Sequence, residues 1–342
     1  MDAPIDIVGS WLPVDSKVVL KTTLICPVNK LHYESVNAYM TDGFGAFSTS
    51  TTPPLPGSHY TTIHGSGPLW SVRKQPQSRD FMYWVKNPFQ YNLELFSDSR
   101  HKLGETVLWK TFNDPSVTRV GVDHGNVQGC LYLPHSNPSS QQKTKGIITV
   151  DGAVGKGRVN EARASLLASK GFVTFALAFF GCKGQPKIYN KIFLEEIEES
   201  VDFVRNLPEV EDKRIGLVGR SRGGDICMAL AAFLGDKIGA TVCINNPFAS
   251  MPGDTVYKAH VIKGTDFRRD VNEFKMVGGG EAFGEDPSRQ VPVELIKGPV
   301  LSIQGGDDSF ARDFDYQKCA LTRAKRARKL NFEAVVYPGK EY

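Results

Sequence analysis

The sequence predicts an α/β protein in two parts, a β-sandwich followed by a domain built on a parallel sheet. Three observations carry this expectation. The chain has 342 residues, more than one average domain needs. From about residue 15 to 133 it reads as short strands separated by turn residues, with no helical period between them. After residue 146, short apolar runs alternate with helical stretches, the pattern of repeated βα units around a parallel sheet.

In the first region, 18–24 is rich in β-formers, and Val36, Ala38 and Met40 alternate with Asn37, Tyr39 and Thr41. Further strand-like runs follow at 81–85, 91–95 and 107–109, with Asp42-Gly43, Pro53-Pro54 and Asn87-Pro88 as turns between runs. This spacing predicts a sandwich of about seven strands, of the immunoglobulin-like kind. A hairpin-like pair, 117–122 and 127–133, closes the region. The expected domains are therefore 15–133 and 134–342, with the polar stretch 134–145 as their junction. In the second domain strands are expected at 146–150, 172–177, 214–218, 240–244, 299–304 and 332–337. Helices are expected at 162–170, ended by Gly171, and at 191–207, with Phe193, Ile197, Val201 and Val204 on one face.

Composition narrows the function classes. The chain is 41% hydrophobic and 23% charged, enough apolar material for a sizeable core. A net charge of +4 is too mild for the basic face of a nucleic-acid binder, so no nucleic-acid partner is expected. No run of 18 apolar residues exists, so no stable membrane insertion is expected. The six cysteines form no CxxC pair and no zinc spacing, which points to buried reduced thiols and to no metal. The start lacks the pattern of a signal peptide, and Lys340-Glu341-Tyr342 is not a peroxisomal address. The expected compartment is intracellular, cytoplasmic before peroxisomal or mitochondrial.

The sharpest motif is Gly219-Arg220-Ser221-Arg222-Gly223, a match to G-x-S-x-G. The apolar run 215–218 precedes it and a helical stretch, 225–234, follows. A nucleophile elbow needs this strand–turn–helix frame, because the serine sits in strained backbone and must be lifted above the sheet. Ser221 is thus the candidate nucleophile of an α/β-hydrolase domain. Its oxyanion hole is expected from the backbone N–H of Arg222 and from the glycine-rich loop 151–157 after the first strand. The carboxylate that orients the base is expected just past the strand 299–304, where Asp307 and Asp308 both qualify by spacing. The base should follow the strand 332–337, in 338–342, and no histidine stands there. Of the seven histidines, only His260 follows Ser221, and it precedes the candidate acids.

Several segments together resemble the family of acyl-CoA thioesterases and bile-acid-CoA:amino-acid N-acyltransferases (BAAT). Residues 161–172 are similar to the family's "YRASLLA-KGF" segment, and Gly129-Cys130-Leu131-Tyr132-Leu133-Pro134 to its "G-LFLP". Residues 220–227 are similar to its nucleophile turn, Gly306-Asp307-Asp308 to its "G-DD", and Tyr337-Pro338-Gly339 to the start of its "YPGAGH". The resemblance covers roughly 15–342. It implies Ser221 as nucleophile, Asp308 as acid and an acyl-CoA substrate, with no cofactor, and it aligns the family's histidine with Tyr342. Serine is typical of the thioesterases, so the expected reaction is hydrolysis of a fatty acyl-CoA through an acyl-serine. Two alternatives stand beside it, an acyl-CoA-binding relative impaired by the lack of the histidine and an acyl-CoA:amino-acid N-acyltransferase. The arginines flanking Ser221 depart from the family's pattern. They are candidates for binding CoA phosphates, or are solvated or paired with acids.

Overall fold

The computed structural model describes residues 3–26, 32–74, 87–135, 143–152, 158–182, 184–185, 191–211, 213–246, 253–264, 268–269, 276–277, 286–306, 313–329 and 331–338. It is a mixed α/β structure with a large central sheet. The chain divides into two compact units, Met1–Asn113 and Asp114–Tyr342.

The first unit begins with β1 (Val8–Gly9), β2 (Lys17–Ile25), β3 (His32–Met40), β4 (Phe47–Ser48) and the short helix α1 (Gly67–Trp70). β5 (Arg73–Lys74), β6 (Phe89–Ser97) and β7 (Lys102–Lys110) follow. Five of the strands form an antiparallel sheet in the order β5-β3-β2-β6-β7, and β1 pairs with β4. Register sets the buried face: Val18 pairs with Tyr39, Leu20 with Asn37, Thr22 with Ser35 and Leu24 with Tyr33, and all eight are buried. The alternation expected in β3 is present, but its apolar members Val36 and Met40 point outward, 40% and 41% exposed. The inward set is held by directional contacts. Tyr39 stacks on Phe47 with ring centroids 4.9 Å apart, and its hydroxyl bonds that of Tyr60 at 2.6 Å. Ser35 Oγ donates to Pro68 O, and Asn37 accepts from the His59 N–H. A tyrosine ring buries more apolar area than a valine and keeps a polar handle that needs a partner.

The second unit opens with the hairpin β8 (Val117–His124) and β9 (Val127–Pro134), then β10 (Gly146–Asp151), α2 (Arg158–Ser169) and β11 (Val173–Leu177). Next come β12 (Lys191–Phe193), α3 (Leu194–Asn206), β13 (Ile215–Arg220), α4 (Arg222–Phe233) and β14 (Ile238–Ile244). β15 (Asp254–Tyr257), β16 (His260–Ile262), β17 (Arg268–Arg269), β18 (Met276–Val277), β19 (Val300–Gly305), α5 (Asp313–Arg326) and β20 (Phe332–Tyr337) complete it. Eight strands form one sheet in the order β20-β19-β14-β13-β10-β11-β9-β8. The six from β20 to β11 run parallel; β9 is antiparallel to β11, and β8 to β9.

Two sequence boundaries are corrected here. The hairpin expected to close the sandwich belongs to the second unit, because β9 pairs with β11 from Gly129↔Leu177 to Tyr132↔Thr174. The helix expected over 191–207 starts at Leu194. Lys191–Phe193 is instead a strand paired with β15, and it leaves Phe193 half exposed. Leu194, Ile197, Val201 and Val204 make the buried helical face. The basic end of α5 lies largely in solvent, with Lys325 and Arg326 exposed. Arg323, by contrast, reaches Glu294 at 2.7 Å.

The register of β3 makes a prediction. Tyr39→Phe should cost about 1–2 kcal/mol, because it strands the buried Tyr60 hydroxyl. Met40→Gln on the outer face should stay within about 0.5 kcal/mol. Denaturant titration of the two variants against the parent checks both.

Candidate active site

The site is built where β13 meets α4. Ser221 joins them with φ 55° and ψ −132°, a left-handed conformation in a residue that has a Cβ. Such backbone costs about 1–3 kcal/mol and persists where the surroundings over-determine it. Here they do. The Ser221 N–H donates to Ile244 O at 3.0 Å, and Ser221 O accepts from the Gly224 N–H at 2.8 Å. The absence of side chains at two neighbours lets three backbones meet. A Cβ on Gly223 would sit 2.3 Å from Val150 O, and one on Gly152 would sit 2.2 Å from Arg222 Cβ and 2.7 Å from its N. The end of β10, the serine turn and the first turn of α4 are therefore in direct contact.

This contact sets the Arg222 N–H beside Gly152, at the start of the loop from which a second oxyanion donor is expected. The Arg222 N–H opens α4, and Asp151 and Gly152 begin the loop after β10. Residues 153–157 of that loop lie outside the described residues, as do the candidate acids Asp307 and Asp308 and the positions 339–342. β19 ends at Gly305, so the candidate acids do follow a strand of the central sheet, two strands from β13. His260 is not near the serine. Its ring stacks on Phe233 at 5.4 Å, and Phe233 ends a helix of 12 residues that Ser221 begins. That length is about 18 Å at 1.5 Å per residue.

The two arginines flanking Ser221 have separate surroundings. Arg222 is fully buried. Its Nη2 donates to Gly253 O and to Thr255 Oγ1, both at 2.9 Å, and its Nη1 lies 3.6 Å from Asp225 Oδ2, one helical turn on. It is not available to a CoA phosphate. Arg220 Nη1 lies 3.9 Å from the buried Asp151 Oδ2, and Arg163 Nη2 from α2 lies 4.0 Å from the same oxygen. The pairing alternative describes Arg222, while Arg220 lies beside an acid and keeps a partly exposed side chain. Behind the turn, Gln304 Nε2 donates to Asn246 O at 2.9 Å, joining the ends of β19 and β14. The side chain of Asn246 is packed against Gly224.

Sequence reasoning missed Asp225, Thr255, Asp151 and Asn246 as supports of this turn. Asp225 carried a signal, an acid three residues after Arg222 at the start of a helix. Thr255 and Asn246 carried none, because their partners are 33 and 22 residues away. Burial pushes the Cys227 and Cys243 thiols near the turn well above the ordinary thiol range, which disfavours the reactive thiolate.

Removing one partner of a buried ion pair leaves the other uncompensated. Arg222→Met should therefore destabilise the protein by about 3–5 kcal/mol. Adding Asp225→Asn should recover about 1 kcal/mol or more of that loss. A double-mutant cycle measured by chemical denaturation checks the coupling, and strict additivity would contradict it.

Two family models match the chain. The acyl-CoA thioester hydrolase/BAAT N-terminal region matches residues 2–124, and the BAAT/acyl-CoA thioester hydrolase C-terminal region matches 192–340. A Mus musculus protein named peroxisomal succinyl-coenzyme A thioesterase is 33% identical over 352 residues, covering 99% of this chain and 81% of the relative. Acyl-coenzyme A thioesterase 6 of Mus musculus is 31% identical, covering 98% and 81%. Acyl-coenzyme A amino acid N-acyltransferase 1 of Mus musculus is 30% identical, covering 99% and 82%. With a match in both halves and relatives 30% identical or more over nearly its whole length, the chain belongs to the acyl-CoA thioester hydrolase/BAAT family.

Proposed function

We propose that this protein is an acyl-CoA thioesterase, hydrolysing fatty acyl-CoA to free acid and CoA, with Ser221 as nucleophile and Asp308 as the acid that orients the base. The observation that carries this is the backbone of Ser221, held at φ 55° between a central strand and a buried helix. A non-glycine residue in that conformation, at that junction, presents its hydroxyl above the sheet. The relatives named acyl-coenzyme A thioesterases support the substrate class. Ser221, where the conjugating members of the family typically have cysteine, supports water as the acceptor.

The chemistry follows from the geometry. Ser221 Oγ attacks the thioester carbonyl and gives up its proton to a general base, a role for which the stretch 338–342 after β20 supplies no histidine. The carbonyl oxygen becomes an oxyanion that accepts from the Arg222 N–H and from an N–H of the loop after β10, at the positive end of α4. The C–S bond breaks, and the sulfur takes the proton and leaves as CoA thiol. A thiol of pKa about 8.5 is a better leaving group than an alcohol. Water then attacks the acyl-serine and restores the hydroxyl. The first unit we read as an immunoglobulin-like sandwich, on the support of its five-stranded antiparallel sheet and the separate β1–β4 pair. Two of the relatives are named for the peroxisome and the mitochondrion, and the cytoplasmic expectation draws no support from them.

Release of CoA from a long-chain acyl-CoA tests the reading. Ser221→Ala should lower kcat/KM by about 10³-fold or more. Equal rates for parent and variant would overturn the nucleophile and the thioesterase together. Adding glycine or taurine should leave the free fatty acid as the product.

A further inference from the structure

The end of β14 lies between the nucleophile turn and the strand that leads to the candidate acids, because β14 separates β13 from β19 in the sheet. Its backbone holds the turn on one side, where Ile244 O accepts from the Ser221 N–H at 3.0 Å. On the other side it pairs with β19 as far as Ile244↔Ile303, and the Asn245 N–H donates to Ile303 O at 2.9 Å. Asn245 then takes φ 44°, a left-handed conformation that turns the chain out of the ladder. β19 continues, since it pairs with β20 to Gly305↔Tyr337. Gln304 bridges the difference. Its Nε2 donates to Asn246 O at 2.9 Å, a side-chain bond in the place where the strand pairing has ended. Asn246 in turn packs on the first turn of α4, for a Cβ added at Gly224 would lie 2.5 Å from Asn246 Cβ. The Gly224 N–H itself donates to Ser221 O. One buried amide therefore ties the end of β19 to a residue packed against the nucleophile helix.

Both side chains are unfavourable choices for such a place. Gln304 and Asn246 are fully buried. Among the described residues, Gln304 Oε1 and both polar atoms of the Asn246 side chain have no hydrogen-bond partner. A buried amide with unmatched polar atoms is less stable than a well-packed apolar side chain of the same size, so stability alone does not select it. Its use is geometric. Asp307 and Asp308 stand three and four residues after Gln304. An acid that orients the base for Ser221 works only if its strand is fixed relative to the serine. We propose that Gln304 is a positioning residue for the reaction, its side chain clamping the acid's strand to the nucleophile turn through Asn246. The proposal rests on the acyl-serine reading above.

Gln304→Met keeps the length of the side chain and removes its donor. For a long-chain acyl-CoA, kcat should fall roughly tenfold or more while KM and the thermal midpoint stay at the parent's values. A merely structural residue would show the reverse, a lower midpoint with kcat intact. That result, an unchanged kcat, or a kcat lost only in step with the midpoint overturns the clamp. Amide hydrogen exchange tests the same claim without turnover. The Gly306 N–H donates to Tyr337 O, so its protection reports whether the end of β19 is held. Gln304→Met should speed its exchange by roughly tenfold or more at an unchanged midpoint. Unchanged exchange overturns the clamp and leaves the thioesterase standing on its own assay. Failure of the thioesterase reading looks different, for the parent then turns over no faster than Ser221→Ala, and the exchange rates still decide whether Gln304 holds the strand.

Discussion

The site depends on how closely three backbones meet at Ser221. The residue is held at positive φ by hydrogen bonds to Ile244 and Gly224, and by close contacts that exclude a Cβ at Gly152 and Gly223. A strained residue relaxes unless its neighbours leave it no room. Here the room is taken by the end of β10 on one side and by α4 on the other, and the same contact sets the Arg222 amide beside Gly152.

The charges around the turn serve the same end. Burying a guanidinium is expensive unless its hydrogen-bonding groups and its charge are matched. Arg222 is matched by Gly253, Thr255 and Asp225, which links the turn to β15 and, through strand pairing, to β12. On the other flank, Asp151 lies between Arg220 and Arg163, which relates the end of β10, the end of β13 and α2. Of the two arginines that break the family's usual pattern beside the nucleophile, Arg222 is buried and supports the turn, while Arg220 stays partly exposed beside Asp151.

Much of the second unit was legible from local pattern. Strand β20 stands at 332–337 as expected, and β10, β11, β13, β14 and β19 lie within two residues of the expected ends. Parallel strands buried on both faces read as continuous apolar runs, so their signal survives without knowledge of partners. The first unit was less legible for the same physical reason in reverse. In β3 the apolar alternation Val36, Ala38, Met40 competes with the inward set Tyr33, Ser35, Asn37, Tyr39. The winner is decided by Phe47, Tyr60, Pro68 and His59, which are distant in sequence. The hairpin β8–β9 failed similarly: its strands were visible, but nothing local says which sheet a hairpin edge will join.

By itself the sequence determined the βα alternation of the second unit, the glycine-flanked serine after a central strand, and the family to which the chain belongs. Each is a local signal, carried by residues within one strand, turn or helix of each other. Only the tertiary structure decided that Arg222 is buried and tied to Thr255, and that His260 stands a helix length from the serine. Those are facts about residues brought together by sheet pairing across tens of sequence positions, where strand order and register, not residue type, set the distance.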